Sequence, residues 1–449
     1  MIDVEQLRSK ILDLAISGKL VPQDPNDEPA SVLLERIQKE KEALVKDRKI
    51  KKADPPSIIY KGSDNRYYEK AHSFQDPIDI SDEIPCSLPE GWAWTRLSNI
   101  CASIEYGLSY SAKKDGENKY LRITDIQDGE VNWKNVPYVT IVPGEERFYL
   151  RSGDIVFART GATVGKSFLI TKAPERSVFA SYLIRISPID CHISQYISYF
   201  FGSSFYWKQI TNTSVGTGQP NCNGTKLSNL LIPFPPLKTQ EKINTNLQNL
   251  LSVLTRMNQE QKRIGLIAQA LKREILKTFF ASDKSYYEFK PLSEIAEITM
   301  GQSVGSEEML STCQNGSFEF HQGKTHFGKG VLFSSNIYVI NPRKIALPNS
   351  ILMCVRAPVG DVIFCDRKIA IGRGLCSISP HKDTDINFLF YFLLFSKNWF
   401  ILQSTGSTFQ AITIKTVKTL RVPVFRYEKE TEIAKEIRII FSQIDKLID

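Results

Sequence analysis

The sequence predicts an α+β protein. Two similar mixed α/β domains are joined by long helices that pair as an antiparallel coiled coil, in a pseudo-two-fold, circular arrangement. One observation is a junction written twice: LIPFPPLKTQEKI at 231–243 and RVPVFRYEKETEI at 421–433. Pro233 and Pro423 are 190 positions apart, as are Leu230 and Leu420, and Ile243 and Ile433. A second is a set of upstream landmarks at nearly the same offset. Trp207 answers Trp399, Tyr199 answers Tyr391, and Ser187-Pro188 answers Ser379-Pro380, all at 192. The third is a run of apolar residues after each junction at alternating spacings of four and three, the signature of a coiled-coil seam.

The elements follow in chain order. Residues 1–18 begin MIDVEQLRSKILDLAISG, with acids where a secretory signal has bases, and read as an amphipathic helix. LRSKILDLAISG resembles LKREILKTFFAS at 271–282, with Leu7 matching Leu271 and Ile11 matching Ile275. Residues 19–84 stand outside the repeat. SVLLERIQKEKEALVKDRKIKK begins as a helix and becomes a lysine-rich run, and ADPPSIIYKGSDNRYYEK reads as loop. The segment is expected to be a charged linker or an arm contacting DNA or a partner.

Residues 85–237 form the first mixed domain. The stretches GDIVFAR, SFLIT and YLIRISP read as short strands and 195–209 as a helix. Residues 238–282 are the central helix, with seam positions Ile243, Leu247, Leu250, Leu254, Met257, Gln261, Ile264, Ala268, Leu271 and Ile275. Residues 283–427 repeat the mixed domain. FKPLSEIAEITMG (289–301) answers WTRLSNICASIEYG (94–107), and SILMCVRAPVG (350–360) answers GDIVFARTGATVG (153–165). Residues 428–449 start the second helix through Ile433, Ile437, Ile440, Ile444 and Leu447. The N-terminal helix 1–18 is expected to complete it.

Composition narrows the function. A content of 42% hydrophobic and 24% charged residues suits globular domains, and a net charge of +8 permits nucleic-acid binding. The eight cysteines include no CxxC pair, which argues against zinc and against a disulfide scaffold. GATVGKS (161–167) has three residues between its glycines where a phosphate-binding loop has four. DPPS (54–57) lacks the aromatic with which DPPY-type methyltransferases stack on a flipped base. No residue set reads as a catalytic or metal site.

Reading of base edges needs Arg, Lys, Asn, Gln and Ser on loops held by a scaffold. The first domain offers Tyr106, Tyr110, Lys113, Lys114, Arg159, Thr160, Lys166, Gln219, Asn221, Asn223 and Lys226. The second offers Gln302, Lys324, His326, Lys329, Arg356, Arg373 and Gln410. Duplicated in place and divergent in identity, they suit two different readers.

The strings LPEGWAWTRLSNI, SGDIVFARTGATVGK, LSNLLIPFPPLKTQEKI, the GRG of 372–374, TIKTVKTLRVPVF and the opening LRSKILDLAISGKLVPQDPNDEPASVLLERI carry a family resemblance. In this order, the chain resembles the DNA-specificity subunit of type I restriction–modification systems. The resemblance implies two target-recognition domains, each reading one half of an asymmetric bipartite DNA target, with the helices as a ruler between them. It implies a non-catalytic, cytoplasmic protein. Its partners would be two methyltransferase subunits using S-adenosylmethionine to methylate adenine, and restriction subunits using ATP and Mg; no membrane is involved. The other reading is a coiled-coil assembly scaffold whose end domains bind proteins.

Overall fold

The computed structural model describes residues 2–50, 56–71, 76–127, 129–160, 164–212, 222–281, 288–328, 330–406 and 410–448. The chain divides into two units, residues 2–258 and 259–449.

Each unit is built on a four-stranded antiparallel sheet of the same order. In the first it runs Ser167–Leu169, Ile155–Ala158, Leu183–Pro188, Cys101–Tyr106. In the second it runs Val362–Cys365, Ser350–Cys354, Leu375–Pro380, Ala296–Met300. The registers agree: Ile155 pairs with Ile186 as Ile351 pairs with Ile378. The apolar runs IVFA and SILMC are buried throughout because both sheet faces are covered. Strand alternation sends Ile155 and Phe157 into a core with the helical residues Tyr196 and Phe200. Val156 enters a separate core with Tyr120, Leu121 and Val178. Ile351 and Met353 part from Leu352 and Cys354 in the same way.

The second core covers a smaller sheet in each unit. Ser177–Phe179 runs parallel to Asn118–Leu121, and Ile369–Ile371 parallel to the end of Ser317–His321. The helix expected at 195–209 is two, Cys191–Phe200 with Ser204–Asn212, and the second unit repeats the pair as Ile386–Phe395 with Lys397–Gln403. The repeated junction is a strand in a two-stranded ladder. Leu231–Phe234 pairs with Ala93–Arg96, and Arg421–Val424 with Glu288–Pro291. Such a ladder has only edge strands, which is where a strand proline is tolerated.

After the junctions come the helices Leu237–Phe280, of 44 residues, and Tyr427–Ile448. Of the expected seam, Ile243, Leu247, Leu254, Ala268, Ile433, Ile437 and Ile444 are buried. Met257, Gln261, Ile275 and Ile440 are half-buried, whereas Leu250, Ile264, Leu271 and Leu447 are exposed. The buried line instead reaches Leu276 and Phe280. A straight helix drifts by about 20° per heptad from a strict 3.5-residue repeat, so the line slides off a 4–3 seam. Within the second unit, Lys272 joins the two helices: its Nζ lies 2.6 Å from Asp445 and 5.0 Å from the Phe441 ring centroid.

The N-terminal helix, Val4–Ile16, is capped by Asp3 and buries Leu12, Ala15 and Ile16 in the first unit's helical core. Leu7 and Ile11 are half-buried. The Ser204 N–H donates to Asp13 Oδ1 at 2.7 Å.

Residues 19–84 correct the expectation of a linker or loop. The helix Ala30–Lys46 buries Ala30, Leu33 and Ile37 in the first unit's core, and Lys41 Nζ donates to the Ser98 carbonyl at 2.6 Å. The supposed loop is an antiparallel sheet of Ser57–Lys61, Tyr67–Ala71 and Ile78–Asp79. Arg96 binds it through Glu69, at 2.6 Å, and reaches Glu83 at 2.9 Å. The apolar stripe of Ala30, Leu33 and Ile37 has helical spacing, but glutamates and lysines dominate the composition around it.

Candidate nucleic-acid interface

In the first unit, loops at strand ends bring Tyr106, Arg159 and the turn at Asn223 together. The Arg159 guanidinium lies over the Tyr106 ring, 4.8 Å from its centroid, and its buried Nε has no hydrogen-bond partner among the described residues. The Tyr106 hydroxyl accepts from the Gly224 N–H at 2.8 Å. The Asn223 side chain caps the helix Gly224–Ser228 by accepting from the Lys226 N–H at 2.8 Å, which occupies its oxygen. Thr160 is half-buried beside Arg159, and Lys166 is exposed across the same hairpin. Tyr110 and Lys113 belong elsewhere. The Tyr110 hydroxyl donates to Glu145 at 3.0 Å, and Lys113 pairs through its backbone with Tyr138. Lys114 is exposed on that stretch. Gln219, Asn221 and the second domain's Lys329 lie outside the described residues.

In the second unit, Lys324, Arg356 and Arg373 line one depression of about 170 Å³ with Gln322. Arg373 projects between Gly372 and Gly374, and a Cβ at Gly374 would stand 2.3 Å from the Gln322 carbonyl oxygen. Only glycine allows that approach, which fixes where the arginine emerges. Gln410 accepts through its carbonyl from the Ala357 N–H at 2.9 Å, beside Arg356. Lys324 is paired with Asp361 at 3.0 Å, and Lys397 pairs with the other oxygen of the same carboxylate. Burial opposes the charge of Asp361, yet these lysines hold its carboxyl below the usual range. Gln302 is exposed but lines a different hollow, with Arg343 and Lys344.

His326 is half-buried, its ring edge-on to His321 at 5.6 Å. His321 is buried and its Nε2 lies 2.8 Å from Glu319, which also binds Arg367 at 2.8 Å. Burial pushes the His321 pKa down, with Glu319 opposing and His326 and Arg367 adding to the push. Burial works against the Glu319 charge, but Arg367, the Ser335 N–H and His321 bring its pKa to about 2. As pH falls below 6.5, the unfolded chain therefore takes up a proton that folded His321 refuses, and stability falls. A further loss follows as pH drops from 4.5 towards about 2 and Glu319 protonates. Replacing His321 by leucine is expected to shrink the fall in melting temperature between about pH 7.5 and 5.5. Parallel pH profiles for the two proteins would contradict that role.

The two units share their hydrogen bonds at the strand ends. Arg159 N donates to the Tyr182 carbonyl and its own carbonyl accepts from Cys222 N, both at 3.2 Å. Val355 N donates to Gly374 and its carbonyl accepts from Ile412 N, both at 2.9 Å. Val355 is thus the counterpart of Arg159, and Arg356 that of Thr160. The sequence motif aligned the two arginines, but the fold places them one residue apart. One is half-buried against Tyr106, and the other is exposed. The sequence also passed over Tyr182, 63% exposed at this site. Among the described residues, one group has metal-ligand spacing: Asp190, Cys191 and His192, with donor atoms within 4.8 Å. Its geometry is that of the Asp190 helix cap, which also lies 2.6 Å from His192 Nδ1.

A family model described as the type I restriction modification DNA specificity domain matches residues 89–266 and again 284–449. The chain belongs to that family. Its two matches cover the two mixed domains, the first part of the central helix and the C-terminal helix. Among members of this specificity family, the chain is 29% identical over 385 residues to the protein assigned as the type I restriction enzyme MjaX specificity subunit of Methanocaldococcus jannaschii. That alignment covers 80% of this chain and 88% of the relative. It is 31% identical over 270 residues to the EcoAI specificity subunit of Escherichia coli, covering 57% of this chain and 41% of that one. A chain from a structural study of type I restriction–modification complex assembly shares the fold. Its TM-score is 0.58 at 24% identity, covering 81% of this chain and 93% of that one. Membership of the specificity family supports DNA recognition and does not favour a protein-binding scaffold.

Proposed function

We propose that the two mixed domains read the two halves of an asymmetric bipartite DNA target and direct adenine methylation or restriction by partner subunits. The observation that carries this is the shared hydrogen-bond register at the strand ends, which presents different residues at equivalent places. One scaffold with two loop sets yields two readers; identical sets would yield a palindrome. Phosphate contacts would supply affinity and loop side chains specificity. On this reading the chain is non-catalytic and acts in the cytoplasm. S-adenosylmethionine, ATP and Mg are bound by the methyltransferase and restriction subunits. The assignments of the relatives as specificity subunits support that division of labour. Among the described residues, no helix is long and apolar enough to cross a membrane.

The test is to map methylated adenines in DNA from cells expressing this chain with its methyltransferase. The expected result is one motif with two unlike half-sites around an unread spacer. A palindromic or contiguous motif would contradict two independent readers.

A further inference from the structure

After the strand Ser317–His321 and the turn Lys324–His326, the second unit builds a short hairpin in which Phe327 pairs with Leu332. Leu332 is buried, but Val331 and Phe333, two residues apart, are 53% and 60% exposed. Phe333 is held nonetheless. A Cβ at Gly328 would stand 2.4 Å from its ring, so the ring lies where only glycine leaves room. The base of the hairpin is clamped by the network around Glu319. Arg367 donates to the Leu332 carbonyl at 2.9 Å and to the Phe333 carbonyl at 3.3 Å, and Glu319 accepts from the Ser335 N–H at 2.8 Å.

The first unit has the same device with different chemistry. Phe179 pairs in parallel with Leu121 as Ile371 pairs with His321, so Leu121 is the counterpart of His321. The turn Ile123–Asp125 and a hairpin of Ile126–Gln127 with Glu130–Val131 follow. Its outermost rung is Gln127 with Glu130, both exposed. Both hairpins have an apolar inner rung, but the outer rung is Gln127 with Glu130 in one unit and Gly328 with Val331 in the other.

We infer that the Phe327–Leu332 hairpin reads thymine, with Val331 and Phe333 meeting C5-methyl groups in the major groove of the second domain's half-site. This rests on the DNA-reading role of that domain. The major groove admits a two-stranded ribbon, and the thymine methyl is the apolar feature displayed there. His326 and Lys324 precede the hairpin, and the Phe333 N–H donates to the His326 carbonyl at 2.9 Å, so the exposed apolar pair adjoins polar side chains of the same loop. Glu319 and Arg367 are positioning residues, since they touch the hairpin's backbone and not the Val331 and Phe333 side chains.

The test uses the chain assembled with its methyltransferase subunits on its mapped target, with each thymine replaced in turn by uracil, which lacks only the methyl. At one or two positions of the second domain's half-site, wild-type affinity is expected to fall about fourfold per methyl. Phe333→Ala should bind that half-site more weakly and lose the uracil effect at the position its ring meets, while the other half-site behaves as in wild type. Arg367→Ala should also lose the uracil effect while keeping non-specific DNA binding, and Arg367→Lys should restore part of it. Uracil tolerance at every position in wild type would overturn the proposal. So would uracil effects that all keep their full size in Phe333→Ala. A wild-type complex with no sequence preference at all would instead overturn DNA reading itself.

Discussion

Replacing Arg356 or Arg373 by alanine is expected to relax discrimination at one half-site and leave the other intact. Both side chains are exposed and line one depression, on opposite strand ends of the second unit. A guanidinium that meets a guanine edge bidentately is worth about 1–3 kcal/mol, so each substitution should weaken the correct target by roughly 5- to 150-fold. Arg373 should show the larger loss, because the close approach of its flanking glycines to residues 320–323 fixes the backbone from which it emerges. Lys324→Ala should cost less, since Asp361 already partners that ammonium. The measurement is competition binding by the assembled complex against targets with single base changes in each half-site. Equal loss of discrimination in both halves would refute independent readers.

The fold was legible where the chain repeats itself. Constant offsets exposed the two units because burial on both sheet faces keeps runs such as IVFA and SILMC apolar while loops vary. The site was less legible. A string match pairs Arg159 with Arg356, but strand register is set by backbone hydrogen bonds, and these pair Arg159 with Val355. A one-residue slip turns a side chain to the other face, so the two arginines stand in different environments. The hairpin carrying Phe333 does have a sequence signal: glycines at 328 and 330 between apolar residues mark a tight turn. The helix Ala30–Lys46 and the strands after it were hidden for another reason. Their polar ties, Lys41 to the Ser98 carbonyl and Glu69 to Arg96, reach residues remote in sequence.

Truncating the buried face of either helix end is expected to cost more than any loop substitution. Phe280, at the end of the central helix, packs its ring 5.5 Å from Phe388, 5.3 Å from Phe392 and 5.6 Å from Phe395. Phe280→Ala should destabilise the second unit by about 3–5 kcal/mol through lost burial and the cavity left behind. Leu276 and Phe280 lie 264 positions beyond Leu12 and Ile16, the offset that also relates Leu271 to Leu7. In the first unit Leu12 and Ile16 are buried with Tyr196 and Phe200, the repeat counterparts of Phe388 and Phe392. Leu12→Ala should therefore cost the first unit about 2–5 kcal/mol. Each contact lies within its own unit, so the two losses should add to within about 0.5 kcal/mol in the double variant. In DNA binding, Leu12→Ala should weaken reading of the first half-site at elevated temperature and spare the second, with Phe280→Ala doing the reverse. Calorimetry of the four proteins, read with half-site binding across temperature, decides it. If either variant disabled both half-sites together, the repeat would be one cooperative body and not two readers on matching supports.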